Sequence, residues 1–180
     1  MKKTFSLFAL AVAAAILFTQ CGGNASGYEI TEDGLGPLTF TAETVDFGKG
    51  YEVKSETYED EMDGYIETTI TILKDGHEVA SRKNDYRIEV MSPEFKTKDG
   101  LHAGMDLSEA VQILGEEYNI WNYNDDTYFY FAKPGSKISV IVDGDSINGG
   151  FDNYYMRPFE LTFGQFAADT KVKAVVIENN

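Results

Sequence analysis

Gly104-Met105-Asp106-Leu107-Ser108-Glu109-Ala110-Val111-Gln112-Ile113-Leu114-Gly115 is the clearest helical stretch in the chain. Leu107, Ala110, Val111 and Leu114 fall at i, i+3, i+4 and i+7, so a helix over 106–114 carries one apolar stripe. Asp106 suits the N-cap, and Glu109 three residues later can return the hydrogen bond of a capping box. Gly115 suits the position just past the helix end. A shorter helix is expected over 41–47, with Thr41 as its cap.

Outside that stretch, strand patterns dominate. Tyr51 to Thr57 alternates, with Tyr51 and Val53 on one face. Tyr65 to Leu73 puts Ile66, Ile70 and Ile72 on one side and Glu67, Thr69 and Thr71 on the other. Met62-Asp63-Gly64 joins these runs as a turn. Lys74-Asp75-Gly76-His77 is a second turn, with Asp-Gly at its centre. It leads to short strands at 78–80 and 86–90, where Tyr86, Ile88 and Val90 face inward. Ile120 to Tyr123 and Tyr128 to Phe131 form another hairpin. A symmetric turn pairs Trp121 with Tyr130 and Tyr123 with Tyr128, and on the other face Ile120 with Phe131 and Asn122 with Phe129. Strands follow at 137–142 and 172–177. The expected class is α+β: a mainly antiparallel sheet with one or two helices packed on one face. Asp33-Gly34-Leu35 and Asp99-Gly100-Leu101 are each expected to precede a helix and then strands, a pattern open to two readings: a duplicated unit with halves 29–96 and 97–178, or chance recurrence of three residues.

The start of the chain has another character. Lys2 and Lys3 precede an uncharged run from Phe5 to Phe18, too short to span a bilayer comfortably and suited to a signal-peptide core. The one cysteine, Cys21, follows directly after Leu17-Phe18-Thr19-Gln20. The expectation is a lipoprotein signal over 1–20, lipid on Cys21, a flexible tether over 21–28 and one domain over 29–178. The alternative is an ordinary secretory signal with an incidental cysteine.

Cleavage before Cys21 leaves 160 residues with all 30 acids and 13 of the 15 bases, a charge of −17. That balance argues against nucleic acid or an anionic lipid surface as a charge-driven partner, and it disfavours self-association. The two units carry −10 and −7, so neither offers a basic face. With one cysteine, no disulfide closes within the chain, and packing alone must hold the fold.

The segment Gly104 to Val111, followed by Leu114-Gly115 and an aromatic hairpin, resembles the helix start of the SmpA/OmlA outer-membrane assembly lipoproteins. It is also similar to the repeated unit of β-lactamase-inhibitor-like proteins. Asp33-Gly34-Leu35-Gly36-Pro37-Leu38 and the strand Val172 to Ile177 resemble the sigma-E-regulated envelope lipoproteins. These resemblances imply a non-enzymatic envelope protein that binds other proteins, and they supply no catalytic residue. Asp145-Ser146-Ile147 is similar to the short O-glycosylation signal of Bacteroidetes envelope proteins.

Chemistry-bearing clusters are sparse. His77 and His102 sit in separate turns, and a hydrolase would need one of them beside a carboxylate, such as Asp99 beside His102. Zinc needs clustered His and Cys, which the chain lacks. Asp143 to Gly149 opens like a calcium loop, but Ile147 stands where an oxygen ligand is needed. Glu59-Asp60-Glu61-Met62-Asp63 reads as a solvated hairpin tip. No cofactor is expected.

The aromatic hairpin is the strongest candidate site. If Ile120, Phe129 and Phe131 face the core, then Trp121, Tyr123, Tyr128 and Tyr130 point outward. Rings with a polar edge are what binding surfaces favour. Tyr154, Tyr155, Arg157 and Phe159 could extend this patch. Alternatively, helix 106–114 or the segment Phe151 to Tyr155 covers it. The expected function is therefore a non-catalytic lipoprotein, anchored through Cys21 in the outer membrane and facing the periplasm, that binds a protein or glycan partner. The alternatives are an envelope hydrolase using His77 or His102, or a protein inhibitor of an envelope enzyme.

Overall fold

Alternation of β-branched and polar residues dictates a half-buried strand, and the chain forms one wherever that pattern is clean. The computed structural model describes residues 27–59, 64–122, 127–148 and 161–179. Within them the elements run in chain order as β1 (Glu29–Thr31), β2 (Gly34–Leu35), β3 (Leu38–Thr39), β4 (Tyr51–Glu59), β5 (Ile66–Lys74), β6 (His77–Lys83) and β7 (Arg87–Val90). They continue as β8 (Lys96–Thr97), α1 (Leu107–Leu114), β9 (Asn119–Trp121), β10 (Tyr128–Ala132), β11 (Ile138–Asp143) and β12 (Ala174–Glu178).

Eight strands make one antiparallel sheet in the order β4-β5-β6-β7-β12-β11-β10-β9. A smaller sheet, β3-β2-β1-β8, includes the parallel pair β1–β8. One face of the large sheet presents Ile70, Ile72, Ala80, Ile88, Val90, Phe129, Phe131, Val140, Val142, Val175 and Ile177 to the main core. The same core takes Ile30, Leu35 and Leu38 from the small sheet and Leu107, Ala110 and Leu114 from α1. Each fully buried aliphatic side chain contributes roughly 1.5–3 kcal/mol relative to exposure.

The expected α+β class does not hold. The protein is mainly β, two sheets in a sandwich-like arrangement, with one α-helix of eight residues among the described residues. The stripe on α1 was read correctly, since Leu107, Ala110 and Leu114 are buried. Two turns of helix, however, fill a gap in a β core rather than forming a layer of their own. The small sheet escaped the sequence reading because strands of two or three residues are too short to show periodicity.

The second expected helix is absent, and 41–47 is turn and irregular chain. Arg82 ties the start of that segment to the large sheet. It lies on the core side of β6, opposite Ile70 and Ile88, and is only 8% exposed. Its Nη1 donates to the carbonyls of Thr39 at 2.5 Å and Ala42 at 2.8 Å. Only Ala42 of these two lies within 41–47, and the Thr39 carbonyl also accepts from Ala42 N–H at 3.4 Å; Phe40, Val45 and Phe47 drop into the core in place of a helical stripe. Burial pushes the Arg82 guanidinium below its usual range.

The capping box at Asp106 also fails to form, because a tertiary partner competes for it. Asp106 makes no side-chain cap bond. Its Oδ1 accepts from Lys171 Nζ at 2.7 Å instead. The helix start is stitched to the chain entering β12: Gly104 N–H donates to Val172 O, Val172 N–H to Met105 O, and Leu107 N–H to Thr170 O. Gly115 ends the helix as expected, at φ 91° with its N–H on Val111 O.

Several local readings hold. Asp75 (φ 52°) and Gly76 (φ 78°) make the tight β5–β6 turn, with Lys74 opposite His77. Trp121 pairs with Tyr130 and Ile120 with Phe131. Met62 and Asp63 of the expected turn, and 21–26 of the expected tether, lie outside the described residues. Tyr28 packs edge-on against Phe47, with ring centroids 5.3 Å apart, so the folded body includes it. Ile66 and Tyr86 share the parity of the core residues but are 55% and 41% exposed, because they lie beyond the core's margin. The two Asp-Gly-Leu turns follow β1 and β8, and those strands pair side by side; among the described residues α1 has no helical counterpart in the first half.

Replacing Arg82 by Met should destabilise the protein by about 2–3 kcal/mol, since two part-buried carbonyls lose a charged donor. Urea denaturation checks this, and a loss below about 1 kcal/mol would show that Arg82 does not hold 39–42.

Candidate functional site

The hairpin of β9 and β10 sorts its rings by strand parity. Phe129 and Phe131 point into the main core, each edge-on to Phe166 with centroids 5.7 and 5.2 Å apart. Tyr128 and Tyr130 point to the opposite face. There Tyr130, Ile141, Ala174 and Val176 form a second buried cluster, with Met91, Trp121 and Tyr128 packed against it half-buried.

The four expected site residues therefore have different fates. Tyr130 is fully buried and cannot itself touch a partner. Trp121 stacks on it, with centroids 5.5 Å apart and planes 17° from parallel. Tyr128 is half-buried, with Lys173 Nζ 3.8 Å from its ring centroid and also bonded to its hydroxyl. Tyr123 lies outside the described residues, as do Tyr154, Tyr155, Arg157 and Phe159. The outward aromatic face is thus a two-tier arrangement, a buried Tyr130 beneath a half-exposed Trp121.

Two cations under this face were not anticipated. Arg87, on the outward side of β7, donates from Nη2 to the Tyr130 hydroxyl at 3.0 Å across the two intervening strands β12 and β11. Its Nε donates to Glu89 Oε1 at 2.7 Å, and Nη1 lies 3.5 Å from Glu178 Oε1. Burial works against the Arg87 charge, but Glu89 and Tyr130 outweigh it and hold the guanidinium above its usual range. Lys173 Nζ sits 3.7 Å from Asp143 Oδ2 while covering Tyr128. The parity of Arg87-Ile88-Glu89-Val90 places Arg87 opposite the core side, but only the strand order brings it to Tyr130.

The hydrolase residues do not converge. His77 is exposed at the β5–β6 turn. His102 Nδ1 lies 2.8 Å from the Gly100 carbonyl oxygen. Among the described residues neither ring is bonded to a carboxylate, and Asp99 faces Lys133 at 4.0 Å. No three of His, Cys, Asp and Glu come together among the described residues to hold a metal ion. At the start of the calcium-like loop, Asp143 Oδ1 accepts from Asp145 N–H, and Ile147 is buried. No helix among the described residues is long and apolar enough to cross a membrane.

No family model matches this chain, and no curated protein does. Its fold is similar to that in the crystal structure of the uncharacterized protein YfeY from Escherichia coli. That likeness has a TM-score of 0.62 and covers 84% of this chain and 99% of that one, at 17% sequence identity. At this identity the likeness speaks to the fold alone.

Trp121 is the only tryptophan, so its fluorescence reports this face directly. Tyr130→Leu should remove the stack and shift Trp121 emission to longer wavelength. Tyr130→Phe should keep the emission but cost about 1–2 kcal/mol, because the bond to Arg87 is lost. Unchanged emission in Tyr130→Leu would show that the stack does not order Trp121.

Proposed function

We propose that this is a non-catalytic lipoprotein, anchored to the cell envelope through Cys21, that binds a protein or other envelope component through the Trp121 face. The observation that carries the binding role is the stack of half-buried Trp121 on buried Tyr130, itself fixed by Arg87. A ring held in place by a neighbour loses little freedom on binding, and it presents apolar area with a polar edge. Tyr128 beside it, covered by Lys173, adds a second aromatic contact with a cationic rim.

Anchoring rests on the uncharged run Phe5 to Phe18 ending at a lone cysteine. Two or three acyl chains on Cys21 and its amine would hold the domain stably where one would not. The resemblance of 33–38 and 172–177 to sigma-E-regulated lipoproteins favours the same setting, an outer-membrane position facing the periplasm.

Cys21→Ser should move the chain from the membrane fraction to the soluble fraction of its own cells. Membrane retention of that variant would refute the anchor. Pull-down of the anchored chain from its own envelope, compared with Trp121→Ala, tests the face. A specific partner lost with Trp121→Ala supports the reading, and an identical set of captured proteins excludes this patch.

A further inference from the structure

The outer edge of β4 lies at the opposite end of the large sheet from the aromatic strand β9. β4 ends the eight-stranded sheet, and among the described residues nothing pairs with its far side. It is nine residues long, and every residue from Lys54 to Glu59 is exposed, Tyr58 at 62%.

Which backbone groups face outward follows from β5. Thr68 donates its N–H to Asn84 Oδ1 at 2.6 Å and accepts from Asn84 N–H at 2.8 Å. Its backbone therefore points toward β6, and by alternation Glu67, Thr69 and Thr71 point toward β4. Their partners Tyr58, Glu56 and Lys54 are bonded inward. Val53, Ser55 and Thr57 must then direct their N–H and C=O groups out of the sheet. The Thr57 and Thr68 hydroxyls lie 3.2 Å apart, as expected for a closely spaced pair without backbone bonds.

We infer that this edge pairs with the β4 edge of a second copy, antiparallel, about a two-fold axis at Ser55. The sequence Tyr51-Glu52-Val53-Lys54-Ser55-Glu56-Thr57-Tyr58-Glu59 is self-complementary in that register. Lys54 faces Glu56 of the second copy, and Glu56 faces its Lys54. Glu52 faces Tyr58, Tyr51 faces Glu59, and Val53 faces Thr57, so no like charges oppose one another. The outward groups of Val53, Ser55 and Thr57 all meet outward groups. Moving the axis one residue either way puts Lys54 on Lys54 or Glu56 on Glu56, which costs stability. The two sheets join into one of sixteen strands, and an isologous pair closes on itself without growing into fibres. The acidity of the chain, including Glu52, Glu56 and Glu59 against one Lys54 on each edge, opposes pairing, and physiological salt screens the charges that lie more than about 8 Å apart.

The test measures the mass of the full-length chain at physiological ionic strength, in mild nonionic detergent with micelles in excess. A dimer is expected. Ser55→Pro should abolish it while leaving the thermal transition nearly unchanged, because the Ser55 N–H makes no bond to β5. Lys54→Glu alone should raise the concentration for half-dimerisation about tenfold, since two attractive pairs become repulsive. Lys54→Glu combined with Glu56→Lys should restore it. A monomer at all concentrations overturns the inference. So does a dimer indifferent to Ser55→Pro, which would place the contact elsewhere, or a charge swap that fails to rescue a variant with the wild-type thermal transition.

Discussion

The pairing of β7 with β12 is the constraint on which the rest depends. It sets Val175 opposite Val90 and Ile177 opposite Ile88, and so joins two runs of four strands that are far apart in the chain. Without that seam, β4–β7 and β9–β12 would be two meanders, each with one apolar face and nothing to cover it. With it, one sheet presents a continuous apolar face to α1 and the small sheet. The seam also sets the outward side. Glu89 and Arg87 from β7 meet Val176 and Glu178 from β12, and Arg87 reaches on to Tyr130.

Two arginines do different work from neighbouring strands. Arg82 points inward and ties the irregular segment at 39–42 to the large sheet through carbonyl oxygens. Arg87 points outward and fixes an aromatic stack through a phenol and two carboxylates. Arg87 uses the rigidly spaced donors of its guanidinium, Nε, Nη1 and Nη2, for three partners, whereas Arg82 makes both of its bonds from Nη1. Their parity along adjacent antiparallel strands decides which layer each one serves. The local sequence around either shows only a charged residue in a strand.

Legibility in the sequence tracked the range of the interactions involved. The hairpin registers at Asp75-Gly76 and at Trp121–Tyr130 were readable because a short turn fixes pairing. The apolar stripe of α1 was readable because 3.6-residue periodicity is a local property. The cap at Asp106 was misread because Lys171, distant in sequence, outcompetes a helix amide for the carboxylate. The helix at 41–47 was misread because burial of Phe40, Val45 and Phe47 in the core, a tertiary demand, overrides the local pattern. The aromatic face was half readable: parity separated Tyr130 from Phe131, but whether a ring on the outer face is buried depends on which side chains cross it.

The sequence by itself determined the longer strands, the facing of most of their residues, the tight turns and the acidic charge, since each follows from composition or from neighbours within a few residues. Tertiary structure alone decided that the protein is mainly β. It assembled the small sheet from pieces too short to carry a pattern, and it made α1 a filler of the core instead of a layer. It also decided that Tyr130 is a buried support for Trp121 and that, among the described residues, β4 is an open edge. The physical reason is the same in each case. Burial and edge position are properties of the strand order, and strand order is set by pairings such as β7 with β12 that no local periodicity encodes.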